Sequence, residues 1–488
     1  MIERIQALEE VARRLEPDAA GRHAVRETVV AHGEDFLESL EDGNAYEIDK
    51  SGAHLLLGSP ISEEPSDIGP VLALFRDAVT KPGLNPASGG HLGYIPGGGL
   101  YYSALGDYLA DVTNEYAGVS FAGPGAVQLE NQLLDWMAGM VGYPTSAEGG
   151  GGNLASGGSI ANLIAIVTAR DTKGLKPKDY DRAVVYLSEH VHHCLDKALR
   201  IAGLECCHKR YIRLDERYRM EPDDLARAIG EDRAAGRIPW LVIASAGTTD
   251  VGAVDPLAEL GAIAHEHDLW YHVDGAYGAF FALAESAPAS LAGMAASDSV
   301  VMDPHKGLFL PYGLGAVLVR DKGALHRSHY YQANYMQDAQ RGEERVIDSP
   351  AELSPELTKP FRGLRLWLPL KLHGVAPFRA GLEEKLLLTR HFYEEVQKLG
   401  FEVGPEPELS VATFRWVPEE GDANAFNRAL VEQVHNDGRV FLSSTTLDGR
   451  VVLRFAALAF RTHLSTVERT LSMLRDALGR VSSALRTK

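Results

Sequence analysis

The sequence predicts an α/β protein: a large domain built on a mostly parallel sheet, followed by a smaller C-terminal α+β domain. Three observations point there. Short β-rich apolar runs alternate with helical stretches between about residue 89 and residue 365. Those runs lack the polar alternation of half-exposed strands, which marks strands covered on both faces. After residue 366 the rhythm changes to two helical stretches set among three strand-like runs.

The 488 residues suggest more than one domain, with boundaries expected at 1–88, 89–365 and 366–488. Hydrophobic content of 45% and charged content of 24% are those of a globular protein with ample core. A formal net charge of -19 argues against nonspecific binding to nucleic acid or an anionic membrane surface. Three cysteines, two of them adjacent, make no disulfide framework and fit a reducing compartment. The first residues lack the basic start and apolar core of a secretory signal. No run approaches the roughly 18 apolar residues needed to span a bilayer. A cytoplasmic location is expected.

Residues 1–88 read as helices and polar connections with apolar faces at 37–40 and 71–75. Such a segment has little core of its own and is expected to pack on something else, a second subunit included. Strands are expected at 183–187, 241–245, 270–273, 300–302 and 315–319. Helices are expected at 159–170, 192–202, 222–229 and 256–267. Residues 332–359 are polar and aperiodic, and a loop of that length in a compact enzyme usually serves function. The C-terminal unit has expected helices at 382–399 and 423–437 and strands at 410–416, 440–443 and 451–455.

In doubly covered sheets ligands bind beyond the carboxyl ends of the strands. One such end carries Asp274, and another runs through Asp303, Pro304 and His305 to Lys306. A desolvated lysine with a lowered pKa can form an imine and later carry a proton. A carboxylate against a pyridine nitrogen keeps that nitrogen protonated, so the ring accepts electrons. Side by side, the two groups are what pyridoxal phosphate (PLP) needs from a protein. Taken singly, Lys306 is also a plausible exposed loop lysine, and Asp274 a turn cap.

The glycines at 149–152 lead into Ser156, Gly157, Gly158 and Ser159 and then an apolar helical run. Glycines admit close backbone approach, and the first-turn N–H groups with the Ser159 hydroxyl can hold a phosphate. A flexible turn is the bland alternative; Lys306 and Asp274 shift the balance. Asn162, one turn on, caps the helix or contacts the same site. His190, His192, His193 and Cys194 invite a zinc reading, but no spacing completes four ligands, and no metal is expected. Stacking of His192 on a flat cofactor is the better use. His305 and Asp303 reach the phosphate or hold a turn. Thr248 ends a further strand, with its hydroxyl toward the ring or the Asp274 carboxylate.

With these residues in hand, the chain resembles the group II PLP-dependent amino-acid decarboxylases, aromatic-L-amino-acid decarboxylase among them. The marks are 125–136 with Glu130, the 156–162 turn, His192, 247–249, 274–277 and Pro304–His305–Lys306. The resemblance implies fold type I architecture and a homodimer whose N-terminal segment swaps across. It implies catalytic roles for Lys306, His192 and Asp274, phosphate contacts from Gly157, Gly158, Ser159 and His305, and ring contacts from Thr248 and Ala276. A loop tyrosine reprotonates Cα in the resembled enzymes, with Tyr335 and Tyr331 as candidates. Its replacement by phenylalanine goes with aldehyde formation. Asp303 stands where an asparagine or serine is common, and a carboxylate there is repelled by phosphate unless protonated or turned away.

The expected reaction is that of a lyase: an L-amino acid yields its amine and carbon dioxide. Aldehyde synthesis, carbon–carbon lyase chemistry and transamination are the alternatives on the same scaffold. A transaminase needs an arginine for the substrate carboxylate, and Arg454 and Arg461 are the candidates. His91, Tyr94, Ile95 and Val119 match a stretch that lines the substrate pocket in the resembled enzymes. Fewer aromatic rings there leave an aliphatic or small aromatic side chain open.

Overall fold

The computed structural model describes residues 1–331 and 348–486. At its centre is a seven-stranded sheet: β1 (Gly151–Ala155), β2 (Ala183–Leu187), β3 (His208–Tyr211), β4 (Ile238–Ser245), β5 (Trp270–Asp274), β6 (Ser299–Met302) and β7 (Gly315–Val319). Their order across the sheet is β1-β7-β6-β5-β4-β2-β3. All neighbours run parallel except β7, which is antiparallel to both β1 and β6. Every residue of β2, β5, β6 and β7 is buried, as strands covered on both faces require. Large apolar clusters flank the sheet on its two sides.

β1 and β3 are absent from the sequence expectation. β1 contains two glycines, poor strand formers, yet its pairing with β7 makes it the edge of the sheet. β3, with the sequence His-Lys-Arg-Tyr, forms the opposite, largely exposed edge.

The C-terminal sheet contains β8 (Glu402–Val403), β9 (Val411–Arg415), β10 (Phe441–Leu447) and β11 (Arg450–Ala456). Helix Ala423–Asp437 has the expected bounds. The long helix there starts earlier than the sequence suggests, at Ala376. A fifth strand, His91–Leu92, joins this sheet in parallel with Phe441 and Leu442. A piece of the 89–365 segment is thus built into the 366–488 sheet.

The N-terminal helices Ile2–Ala12, Ala19–Glu38 and Ile68–Phe75 contain no buried residue. No helix among the described residues is long and apolar enough to cross a membrane.

Candidate active site

A cleft of about 460 Å³ opens at the carboxyl ends of β4, β5 and β6. Asp274 and Val301 are register partners on adjacent parallel strands, so the chain leaves both strands at the same edge. Lys306 follows five residues after Val301, at the end of a single helical turn, Pro304–Gly307. Asp274 and Lys306 line the same cleft.

The opposite wall is the start of α1 (Gly158–Thr172), entered directly from β1. Gly157 has φ 151°, where a side chain is strained, and an added Cβ would meet the His305 ring at 3.2 Å. At Gly158 a Cβ would come within 2.9 Å of Asp303 and 3.2 Å of Ala276. This turn therefore presents bare backbone N–H groups at a helix N-terminus, with Ser159 beside them in the cleft. The donor set suits a phosphate dianion.

Asp274 Oδ1 accepts from the Ala276 amide at 3.1 Å, which fixes the carboxylate at the strand tip. Two residues earlier, and on the same face of β5, His272 heads a buried relay. The Trp270 indole donates to Ser299 Oγ at 2.9 Å, so the Ser299 hydroxyl donates to His272 Nδ1 at 2.8 Å. His272 Nε2–H then donates to Asn162 Oδ1 at 2.7 Å, and Asn162 Nδ2 reaches Cys194 Sγ at 3.4 Å. Burial pushes the His272 imidazole down to about 4, so it stays neutral in this relay. His272 is absent from the sequence expectation, although its i, i+2 spacing to Asp274 places both on one face of the strand. Asn162 holds this relay rather than capping its helix.

His192 precedes α2 (Cys194–Ile201). Its Nδ1 accepts from the Cys194 amide at 3.2 Å, which leaves the proton on Nε2. Burial pushes its imidazole down, although Asp274 acts the other way. A neutral ring with one donor therefore borders the cleft. Thr248 lines the cleft while its Oγ1 accepts from the Ala253 amide at 3.2 Å. Asp255, a residue the sequence did not single out, braces that turn by accepting from the Ser245 and Met220 amides. Tyr312 was also missed; it lines the cleft with its ring edge-on to His305, centroids 5.7 Å apart.

Several expectations change. Burial pushes the Lys306 amine down, but Asp303 and Asp274 outweigh it and the net shift is upward. The lowered pKa expected of a desolvated lysine does not hold, because two carboxylates face it. Asp303 is paired: its Oδ2 lies 3.2 Å from Lys306 Nζ. None of His91, Tyr94, Ile95 and Val119 lines this cleft. His91 and Tyr94 pack on Phe441, because strand His91–Leu92 belongs to the C-terminal sheet and Tyr94 follows it by two residues. Ile95 joins the main core, and Val119 is buried in the turn that receives the Ala122 and Gly123 amides.

Arg454 is committed elsewhere. Its Nε donates to the Asp250 carbonyl and one terminal nitrogen to Ser443 Oγ, both at 2.8 Å; the other binds the Thr249 carbonyl. Arg461 donates to the carbonyls of Ala87 at 3.2 Å and Gly98 at 3.3 Å. Both arginines hold backbone carbonyls and neither lines the cleft. Tyr331 is exposed, and Tyr335 lies outside the described residues. Among the described residues no three His, Cys, Asp or Glu side chains are grouped to hold a metal ion.

Together the cleft offers a primary amine, a carboxylate at a strand tip, an anion cradle and a flat neutral imidazole. That set fits pyridoxal phosphate.

Comparison with known proteins gives the same chemistry. Residues 77–417 match the model of the pyridoxal-dependent decarboxylase conserved domain. An aromatic-L-amino-acid decarboxylase of Bacillus atrophaeus is 37% identical over 376 residues, covering 76% of this chain and 77% of that one. Tryptophan decarboxylase 2 of Oryza sativa subsp. japonica is 31% identical, over 84% of this chain and 85% of its own. The solved structure of Oryza sativa TDC with PLP and tryptamine superimposes with a TM-score of 0.88 at 24% identity, covering 95% and 99% of the two chains.

Proposed function

Because the chain belongs to the pyridoxal-dependent decarboxylase family, we propose that it converts an L-amino acid with an aromatic side chain to the corresponding amine and carbon dioxide. Its cofactor is pyridoxal phosphate. When bound, the cofactor supplies a protonated ring that accepts the electron pair left at Cα by the departing carboxylate.

The chain's own residues divide the remaining work. Lys306 Nζ is the amine that holds the cofactor's aldehyde carbon. Asp274 keeps a proton on the ring nitrogen, since a carboxylate facing that nitrogen favours its charged form. The first turn of α1, with Gly157, Gly158 and Ser159, binds the phosphate, and His305 borders it. His192 would hold the ring by stacking, with its Nε2–H as a donor. Thr248 and Ala276, which line the same cleft, would help to position the ring. A phenol, Tyr335 or Tyr331, moves a proton to Cα. The observation that carries this reading is the convergence of Lys306, Asp274 and the α1 N-terminus on one cleft.

The aromatic side chain is inferred from the relatives and from a neighbouring recess. An apolar cavity of about 350 Å³, lined by Phe36, Val79, Leu84, Pro86 and Leu310, shares Tyr312 with the cleft. Its size and lining suit an aromatic ring.

A homodimer in the cytoplasm, with the 1–88 segment packed on the second subunit and units at 89–365 and 366–488, completes the proposal. Support comes from exposed Ile5, Leu8, Val11 and Val29 on helices without a buried residue, and from three free cysteines. Light scattering on the purified protein tests it, and a monomer overturns it.

The reaction is tested by incubating the cofactor-loaded protein with a panel of L-amino acids. Carbon dioxide, amine, aldehyde and hydrogen peroxide are measured together. Equal carbon dioxide and amine from an aromatic substrate is the expected result. Aldehyde with peroxide and no amine rejects simple decarboxylation, and turnover of aliphatic substrates alone rejects the aromatic reading.

A further inference from the structure

Asp303 has no part in the roles above, yet it is the charged group set deepest behind the amine. Its side chain is 2% exposed, against 24% for Lys306, so the amine faces the cleft and the acid backs it. Oδ2 lies 3.2 Å from Lys306 Nζ. Oδ1 is buried with no hydrogen-bond partner among the described residues. Two glycines leave room for the carboxylate: a Cβ at Gly158 would sit 2.9 Å from Oδ2, and one at Gly315 would sit 2.5 Å from Oδ1.

A carboxylate this deep is costly unless a positive group pairs with it. His305 does not supply the charge. Its Nδ1 donates to the Leu314 carbonyl at 2.5 Å, and burial pushes the imidazole down, so Nε2 is an unprotonated acceptor 3.7 Å from Asp303 Oδ2. The remaining groups around Lys306 narrow the choice. Burial pushes the Cys194 thiol up to about 12, and the His192 imidazole down, so both are neutral near pH 7. Tyr312 is pushed up by burial and is neutral as well. Asp274 also acts on Lys306 but is assigned to the cofactor ring. Among the described residues, Lys306 is then the cation that pairs with the Asp303 carboxylate.

We propose that Asp303 is the resident counter-ion of Lys306, a positioning residue that anchors Nζ beneath the α1 turn and sets the pH at which the amine loses its proton and becomes nucleophilic. This rests on Lys306 being the cofactor-holding amine. An asparagine or serine at the same position would leave the amine easier to deprotonate. The identity of residue 303 thus tunes how readily the lysine captures, and later recaptures, a carbonyl carbon.

The test uses full-length protein stripped of cofactor and treated with acetic anhydride across a pH series, with acylation of Lys306 read by peptide mass spectrometry. In the wild type the midpoint should lie above the ordinary lysine value of about 10.4. Asp303→Asn and Asp303→Ser should lower it by at least about one pH unit, which at neutral pH is roughly tenfold faster acylation. Circular dichroism identifies variants that fold. A folded variant with an unmoved midpoint overturns the proposal. If neither variant folds, the wild-type midpoint decides: at or below the ordinary lysine value the proposal fails, above it the proposal stands. Borohydride treatment of cofactor-loaded protein separates the two levels. Label on another lysine defeats the Lys306 assignment itself, whereas label on Lys306 with an unmoved midpoint defeats the Asp303 inference alone.

Discussion

Glu130 and Lys359, each 1% exposed, form an ion pair at 3.1 Å that ties helix Pro124–Val141 to the chain entering helix Leu364–His373. Glu130 Oε1 also accepts from the Gly363 amide at 3.0 Å, and Lys359 binds Asn153 Oδ1 on β1. The pair therefore anchors the chain downstream of residue 348 to the sheet edge that leads into the phosphate turn.

Removing one member strands the other in the interior. Glu130→Ala should cost about 3–5 kcal/mol, whereas the double change Glu130→Gln with Lys359→Met should cost clearly less. Denaturant unfolding of the three proteins checks this. A double change that costs more than Glu130→Ala would show that the charges are not coupled.

Lys306 and Asp274 should fail in different ways. Lys306→Ala should abolish the long-wavelength absorbance of the loaded protein and leave no borohydride label at 306. Asp274→Ala should keep the label but lower turnover by about 10²–10³-fold or more, through loss of charge stabilisation at the ring. A Lys306→Ala protein that still turns over substrate at the wild-type rate defeats the assignment.

The cradle is sensitive to a single methyl group. Gly158→Ala places a Cβ 2.9 Å from the Asp303 carboxylate and 3.2 Å from the Ala276 Cβ, so the buried acid must shift to admit it. Cofactor affinity should weaken by at least about tenfold, or about 1.4 kcal/mol. Titration followed by absorbance measures it, and an unchanged Kd would mean that the turn relaxes without effect.

Acid stability carries a signature of buried histidine. Burial pushes the imidazoles of His91 and His272 down to about 4, so between roughly pH 4 and 6.5 the unfolded chain binds protons that the folded chain does not. Their stabilising effect is complete above that window and is lost as pH falls through it. Asp255, pushed up by burial to about 6, acts in the opposite sense. His91→Phe deletes one of the two histidine terms at a buried site whose ring packs on Phe441. The variant should lose about 1–3 kcal/mol less than the wild type between pH 7 and pH 4. Equal losses in denaturant melts at the two pH values would reject the assignment.

The sequence by itself determined the local chemistry. Asp274 ends one buried strand, Lys306 follows another, and the glycines before Ser159 open a helix; each is set by a few adjacent residues. The alternation of strands and helices likewise sufficed to expect a mostly parallel sheet, because coverage on both faces leaves a compositional trace. What only the tertiary structure decided are contacts between residues far apart in the chain. His91 and Tyr94 carry the local look of a pocket lining, yet the pairing of His91–Leu92 with Phe441 and Leu442 draws His91 into the C-terminal sheet and sets Tyr94 against the Phe441 ring. The glycine-rich 151–155 stretch is a strand because β7 pairs with it. Arg454 is unavailable to a ligand because three backbone carbonyls and a serine take its donors. In each case the free energy of long-range pairing and burial outweighs local propensity, and no window of neighbouring residues contains that term.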